Sequence, residues 1–242
     1  MGTLKTDDII ARTGNAMNLG VSGDTVTVPS GATLSVPSGA TINVAGTATG
    51  LLTSGNIGTS VQAYNAGTKI AGKETIWVPS SAMYPSTTNP CSDLTQVETT
   101  ALRPDLKVLD FATGADDFAQ FSIAMPKSWN EGTVTFQPFW TVTGTNTGTV
   151  AWQLGGIAAS SDDSINTAFG TLVATTALAH SGTSNDLMVS AESGAVTIAG
   201  SPAVADICFF QINRDVSADD QSGDARLIGI KLYFTTNAGN DA

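Results

Sequence analysis

Charge is scarce in this chain, and positive charge is scarcest. Charged residues make up 13% of its 242 positions, with ten Lys and Arg against 21 Asp and Glu, for a formal net charge of −11. No Lys/Arg cluster is present to displace phosphate counterions, which argues against nucleic acid and against simple electrostatic docking on anionic lipid. Histidine occurs once, as His180. Cysteine occurs twice, as Cys91 and Cys208, so there is neither a disulfide framework nor a Cys-x-x-Cys metal pattern. Cys208 stands in the apolar run Ile207-Cys208-Phe209-Phe210 and reads as a core thiol, with a Cys91–Cys208 bridge as the alternative. No stretch approaches the ~18 apolar residues of a membrane span. The N-terminus lacks the charged and apolar regions of a signal peptide, so the product is expected to stay in the cytosol until it is released.

What the chain has is Thr, Ser, Gly and Ala in abundance, an apolar content of 41% that suffices for a core, and a repeat. Ser22 to Ala45 contain three octads: Ser22-Gly-Asp-Thr-Val-Thr-Val-Pro29, Ser30-Gly-Ala-Thr-Leu-Ser-Val-Pro37 and Ser38-Gly-Ala-Thr-Ile-Asn-Val-Ala45. Each presents two apolar side chains two residues apart, Val26 and Val28, Leu34 and Val36, Ile42 and Val44. Side chains at that spacing share one face of a strand. Burying one such pair recovers less than the backbone entropy of ordering eight residues, and three octads are too few for a solenoid within one chain. The missing core is expected from symmetry-related copies, as a homotrimeric β stalk with the apolar pairs inward. A plain meander folded onto the rest of the chain is the alternative.

Four regions follow. Residues 1–20 read as a leader, 21–50 as the octad stalk, and 51–73, rich in Gly, Ser, Asn and Ala, as a neck or linker. From Glu74 to Ala242 the texture changes to period-two and apolar runs rich in β-branched and aromatic residues. They are Thr75–Val78, Leu106–Phe111, Phe118–Met125, Thr133–Val142, Thr149–Ile157, Leu187–Ala191, Val196–Ala199, Asp206–Arg214 and Arg226–Thr235. No long helix is indicated, although Ser92 or Asp93 is suited to cap a short one over Ser92–Thr100. The predicted fold is all-β: a short trimeric β-repeat stalk followed by an antiparallel β-sandwich of jelly-roll type.

Candidate chemistry is sparse. A Ser-His-Asp triad would need His180, whose neighbours Ser181 and Asp186 are close in sequence only, and the residue reads as an exposed loop histidine. The acidic pairs Asp116-Asp117, Asp162-Asp163 and Asp219-Asp220 read as solvated turns, with glycoside hydrolysis as the rival reading. Asp219, Asp220 and Asp224 surround a glycine in a way that would suit calcium, without the full twelve-residue loop pattern. Beyond this calcium reading no cofactor is expected. Trp77, Trp140 and Trp152 fall inside strand runs and read as core. Trp129 lies in the polar turn Pro126-Lys-Ser-Trp-Asn-Glu-Gly132 and is the candidate for an exposed sugar platform. Arg214-Asp215 and Asp224-Arg226 read as charge pairs across the last strands or across subunits.

The segments Thr3-Leu-Lys-Thr-Asp7, Ala11-Arg-Thr-Gly14 and Gly23-Asp-Thr-Val-Thr-Val-Pro-Ser-Gly-Ala-Thr33 resemble the stalks of virion fibre proteins from tailed bacteriophages of marine bacteria. Arg214-Asp215 and Gly223-Asp-Ala-Arg-Leu-Ile-Gly-Ile-Lys-Leu232 resemble the last strands of β-sandwich domains in such proteins. The resemblance implies a homotrimeric fibre of the virion, anchored to other virion proteins through its leader. Its outer sandwich would contact a host-surface glycan or outer-membrane receptor without catalysis. A capsid decoration protein or head fibre is the structural alternative, a glycan-degrading enzyme using paired Asp the alternative of another class, and a secreted adhesin the third.

Overall fold

The computed structural model describes residues 61–64, 67–70, 72–203 and 205–236. The leader and all six octad core residues lie outside them. Strands run β1 (Val61–Tyr64), β2 (Gly67–Ile70), β3 (Gly72–Pro79), β4 (Tyr84–Pro85), β5 (Thr95–Glu98), β6 (Asp105–Phe111), β7 (Phe118–Ala124) and β8 (Thr135–Val142). They continue as β9 (Thr149–Val150), β10 (Trp152–Ala159), β11 (Val173–Ala174), β12 (Leu178–Ala179), β13 (Met188–Val189), β14 (Ile198–Ala199), β15 (Ile207–Arg214) and β16 (Ala225–Thr236). Every run read as a strand contains one, and the run Thr149–Ile157 divides into β9 and β10 at Ala151.

Sheet I has the order β13-β8-β16-β6-β5, with β3 also on β16, and sheet II the order β11-β10-β15-β7-β4, with β14 also on β10. The long strands therefore form two interleaved sets, β6-β16-β8-β13 and β7-β15-β10-β11, as the chain passes back and forth between the sheets. That is the double Greek key of a jelly roll. Alternating side chains from the inner faces fill the core. Phe121 of β7 stacks on Phe210 of β15 at 5.1 Å, and Phe111 of β6 meets Trp152 of β10 edge-on at 5.0 Å.

The inward file of β15, Cys208, Phe210 and Ile212, continues to a charged residue, Arg214, which is fully buried. Its Nε and one terminal nitrogen donate to the two carboxylate oxygens of Asp219 at 2.6 and 2.8 Å. The remaining donors reach the carbonyls of Phe111, Ala112, Gly223 and Gln221. All five guanidinium N–H groups are thereby answered. The expected charge pairs form with other partners: Arg214 takes Asp219, not Asp215, and Arg226 takes Asp110 across the β6–β16 pair at 2.8 and 2.9 Å. Asp215 instead accepts from Gln153 and Ser217.

One expectation of local structure is corrected. Residues 92–100 hold no helix; Thr95–Glu98 pair with β6 from Thr95↔Val108 to Glu98↔Asp105. The β-branched Thr95 and Val97 suit that edge, and the side chain of Ser92 accepts the amide of Asp110 instead of capping a helix. The segment read as a linker carries the hairpin β1–β2, paired from Val61↔Ile70 to Tyr64↔Gly67.

Both cysteines are free and buried. Burial pushes the Cys91 thiol up to about 12 and the Cys208 thiol up to about 11, from an ordinary 9.0. The folded state keeps both thiols protonated where the unfolded chain would ionise them. Stability is therefore expected to fall as the pH rises through the unfolded thiol range, and both cysteines should resist thiol reagents at mildly alkaline pH until denaturant is added. Prompt labelling of the native protein would contradict this. Arg214→Met should cost about 3–5 kcal/mol in denaturant unfolding, because it strands the Asp219 carboxylate, and adding Asp219→Leu should recover much of that loss.

Candidate functional site

The two outer faces of the sandwich differ in chemistry. The outer side of sheet II carries amides, half-buried Gln120 donating to Gln211 and fully buried Asn213 donating to Gln153. Sheet I presents aromatic rings and cations. Along β3 the alternation sends Ile76 and Val78 toward the core and Thr75 and Trp77 outward, and Trp77 is 46% exposed. The reading of Trp77 as a core residue is thus corrected, whereas Trp140 and Trp152 are fully buried as expected.

Trp77 reaches Phe139 of β8 edge-to-face, with ring centroids 5.3 Å apart and planes at 88°. Strands β3 and β8 flank β16 and lie two strand spacings apart, roughly 9–10 Å. Two rings meet across that gap because the residue between them is Gly229, which pairs with Phe139 on one side and Pro79 on the other. A Cβ on Gly229 would stand 2.7 Å from the Trp77 indole and 2.7 Å from the Val78 carbonyl. Pairing of β16 with β8 slips between Leu227 and Gly229, leaving Ile228 as the extra residue of a β-bulge. Before the bulge Leu227 faces inward, and after it Ile230, Leu232 and Phe234 do. The bulge therefore delivers both Ile228 and Gly229 to the outer side.

These residues floor a groove of about 600 Å³. Trp77, Phe139, Leu106, Pro104, Leu187 and Ile228 give it apolar walls. Thr99, Thr100 and Arg103, from the turn joining β5 to β6, and Asn185, from the loop before β13, give it polar groups. Two residues at its rim, Leu102 (φ 65°) and Asn185 (φ 66°), hold left-handed backbone. Beside the groove the ammonium of Lys231 lies 5.1 Å from the Phe139 centroid, and farther along the face that of Lys73 lies 5.5 Å from the Tyr233 centroid. Each such contact is worth about 0.5–1 kcal/mol at an exposed position. Lys73 and Thr135 both bond Glu192, which holds that carboxyl below the usual carboxylate range.

The residues singled out from sequence lie elsewhere. Trp129 is 1% exposed and belongs to the core, not to a platform. The Pro126–Gly132 turn tucks against the end of β16, where the amide of Asn130 donates to the carbonyl of Thr235 and Trp129 bridges Thr236. His180 is 3% exposed, not a surface loop residue; its Nδ1 lies 2.9 Å from the Asn146 carbonyl and its ring packs on Trp140. Ser181 donates to Asp186 directly at 2.7 Å, bypassing the imidazole.

The acidic pairs brace turns. Asp116 accepts from the amide of Val216, Asp117 from that of Ala112, Asp163 from Ser160 and Asp220 from Thr149. Backbone and hydroxyl donors hold the Asp163 and Asp220 carboxyls below their ordinary range, opposite to the raised value a general acid needs. Asp162 sits in left-handed backbone at φ 71°. Asp219 is spent on Arg214 and Asp224 is exposed. Among the described residues no three His, Cys, Asp or Glu side chains converge as metal ligands, so the calcium grouping is not assembled.

No protein-family model and no curated protein matches the sequence. Among solved structures, similarity is found to an arabinose-bound MgGH51 α-L-arabinofuranosidase at 13% identity and TM-score 0.41, covering 66% of this chain and 24% of that one. CBM35 from Cellvibrio japonicus Abf62 aligns at 9% identity and TM-score 0.38, covering 69% of this chain and 100% of that one. Caldicellulosiruptor saccharolyticus CBM27-1 in complex with mannohexaose aligns at 9% identity and TM-score 0.38, covering 70% and 99%. This chain spans about a quarter of the length of the arabinofuranosidase. Alignments at this level transfer neither a ligand nor a site.

Gly229→Ala should shift the Trp77 indole off the β16 backbone at a cost of about 1–3 kcal/mol. The change should appear as altered near-UV circular dichroism together with a lower unfolding midpoint. An unchanged spectrum and midpoint would contradict the close approach.

Proposed function

We propose that this chain is a subunit of a bacteriophage virion fibre, homotrimeric through its octads, whose jelly-roll sandwich binds a glycan of the host surface in the groove over Trp77. The observation that carries the binding reading is the half-exposed Trp77 ring laid on a bare stretch of backbone at Gly229. A large apolar ring held edge-to-face against Phe139 on a rigid sheet loses little freedom on contact, and its face suits the apolar side of a sugar ring. Arg103, Asn185, Thr99 and Thr100 supply hydrogen-bonding groups around it, the mixture of apolar surface and few polar groups that binding grooves use.

The fibre part of the reading is supported by the octads, whose paired apolar positions call for partner chains, and by the resemblance to phage fibres. Three linked sandwiches would convert weak single-site contacts into useful avidity. The reading assigns no catalytic step, in keeping with acidic side chains that serve turns and ion pairs. A tail position is the first choice, and labelling that places the protein on the capsid would replace it with a head fibre or decoration protein.

Light scattering on a sizing column should give three times the chain mass for the full-length protein; a monomer would overturn the fibre reading. On a glycan array, the wild type should bind at least one host-surface oligosaccharide, and Trp77→Ala should weaken that binding roughly tenfold or more. Binding untouched by the substitution would remove the groove from the proposal.

A further inference from the structure

We infer that the groove selects a sugar bearing a carboxylate, a uronic acid unit, and that Arg103 is the residue that reads it. This rests on the groove being a sugar site and names the class of sugar it takes.

The argument begins with charge. Acidic residues outnumber basic ones by 21 to 10 along the chain, yet none of the residues lining the groove is acidic, and Arg103 is among them. Three other basic side chains of this face and core are already matched to carboxylates. Arg214 holds Asp219, Arg226 holds Asp110 and Lys73 holds Glu192. Arg103 forms no ion pair with a carboxylate among the described residues; its only hydrogen bond there is from its backbone amide to the Thr100 carbonyl at 3.0 Å. An exposed arginine in a chain so rich in carboxylates, standing over a groove free of them, is matched to an anion that comes from outside.

The backbone supports the same reading. The Thr100–Arg103 turn is closed by that hydrogen bond, with Leu102 in left-handed backbone at φ 65° and its side chain fully exposed. A residue with a Cβ rarely adopts that conformation, and glycine is usual at this turn position. The turn sets Arg103 at the lip of the groove whose floor is Trp77 and Phe139. Lys231, with its ammonium on the Phe139 ring, adds a second positive charge at the same aromatic pair.

A guanidinium pairs with a planar carboxylate through two parallel N–H···O bonds. A uronic acid offers that carboxylate on the rim of a ring whose apolar face can rest on Trp77. A neutral sugar would use the aromatic floor and accept single hydrogen bonds from Arg103 through its hydroxyls, without the charged two-bond pairing a carboxylate gives.

The test uses the full-length chain and calorimetric titration with tetrasaccharides of galacturonate, mannuronate and guluronate, each as the free acid and as its methyl ester. The ester keeps the ring and removes the charge. At least one free acid should bind about tenfold or more tightly than its ester. Arg103→Gln should reduce the acid to the affinity of the ester, and Trp77→Ala should weaken both. Equal affinity for acid and ester, or a preference that survives Arg103→Gln, overturns the inference while the groove remains a sugar site. Binding confined to neutral oligosaccharides and lost with Trp77→Ala has the same meaning. A sulfated tetrasaccharide that replaces the uronates and depends on Arg103 overturns the carboxylate assignment. If no oligosaccharide binds, the inference falls together with the groove reading.

Discussion

A guanidinium buried at the end of a hydrophobic core is tolerable only when every one of its donors is answered, and the rest of this sandwich is arranged around that condition. Arg214 ends β15. Its partners come from the end of β6 and from the loop that leads into β16. Satisfying them folds residues 215–224 back over the core and starts β16 in register with both β6 and β8, as Ala225↔Phe111 and Ala225↔Val142. Such a buried pair is weak evidence of added stability and better evidence of a specified geometry. Here the geometry specified is the path of the strand at the centre of sheet I.

That path decides the outer face. Starting in register at Ala225, β16 gains one residue at Ile228 before pairing again at Gly229. The gain moves a glycine beneath Trp77 and turns an isoleucine into a groove wall. One sheet therefore carries an ordinary amide-rich surface and the other carries rings over bare backbone. The difference arises from a single bulge and a single missing side chain, not from a loop insertion. The floor of the groove, Trp77, Phe139 and Ile228, is built on strands and is held more rigidly than the rim, which the Thr99–Pro104 turn and the Asn185–Leu187 loop supply.

Much of the sandwich was legible because period-two alternation reports burial directly. The runs that became β6, β7, β8, β15 and β16 either alternate or are continuously apolar, and they carry β-branched and aromatic residues. Short partners such as β4, β11 and β12 escaped because two residues hold no period. The β5 strand escaped because its partner, not its own pattern, orders it. The groove was hidden for a related reason. Alternation in Thr75-Ile-Trp-Val78 already assigns Trp77 to the face opposite Ile76 and Val78, but hydrophobicity alone suggests core. The reverse error placed Trp129 outside: a polar turn says nothing about where its one large side chain points, and that is set by where the turn docks against β16. His180 was misplaced for the same reason. The pairing of Arg214 with Asp219 was likewise not readable, since the loop that brings them together is ordered only by the bonds it makes.

The central claim is that ligand meets this protein on the outer face of sheet I. Amide and indole N–H shifts of the ¹⁵N-labelled protein, followed while a bound oligosaccharide is titrated in, test it most directly. Binding in the groove predicts that the largest shifts fall on the Trp77 indole, Gly229, Phe139 and the Thr99–Arg103 turn, with Gln120, Gln211 and Gln153 on the opposite face unmoved. Shifts concentrated on sheet II, or on loops away from Trp77, would contradict it.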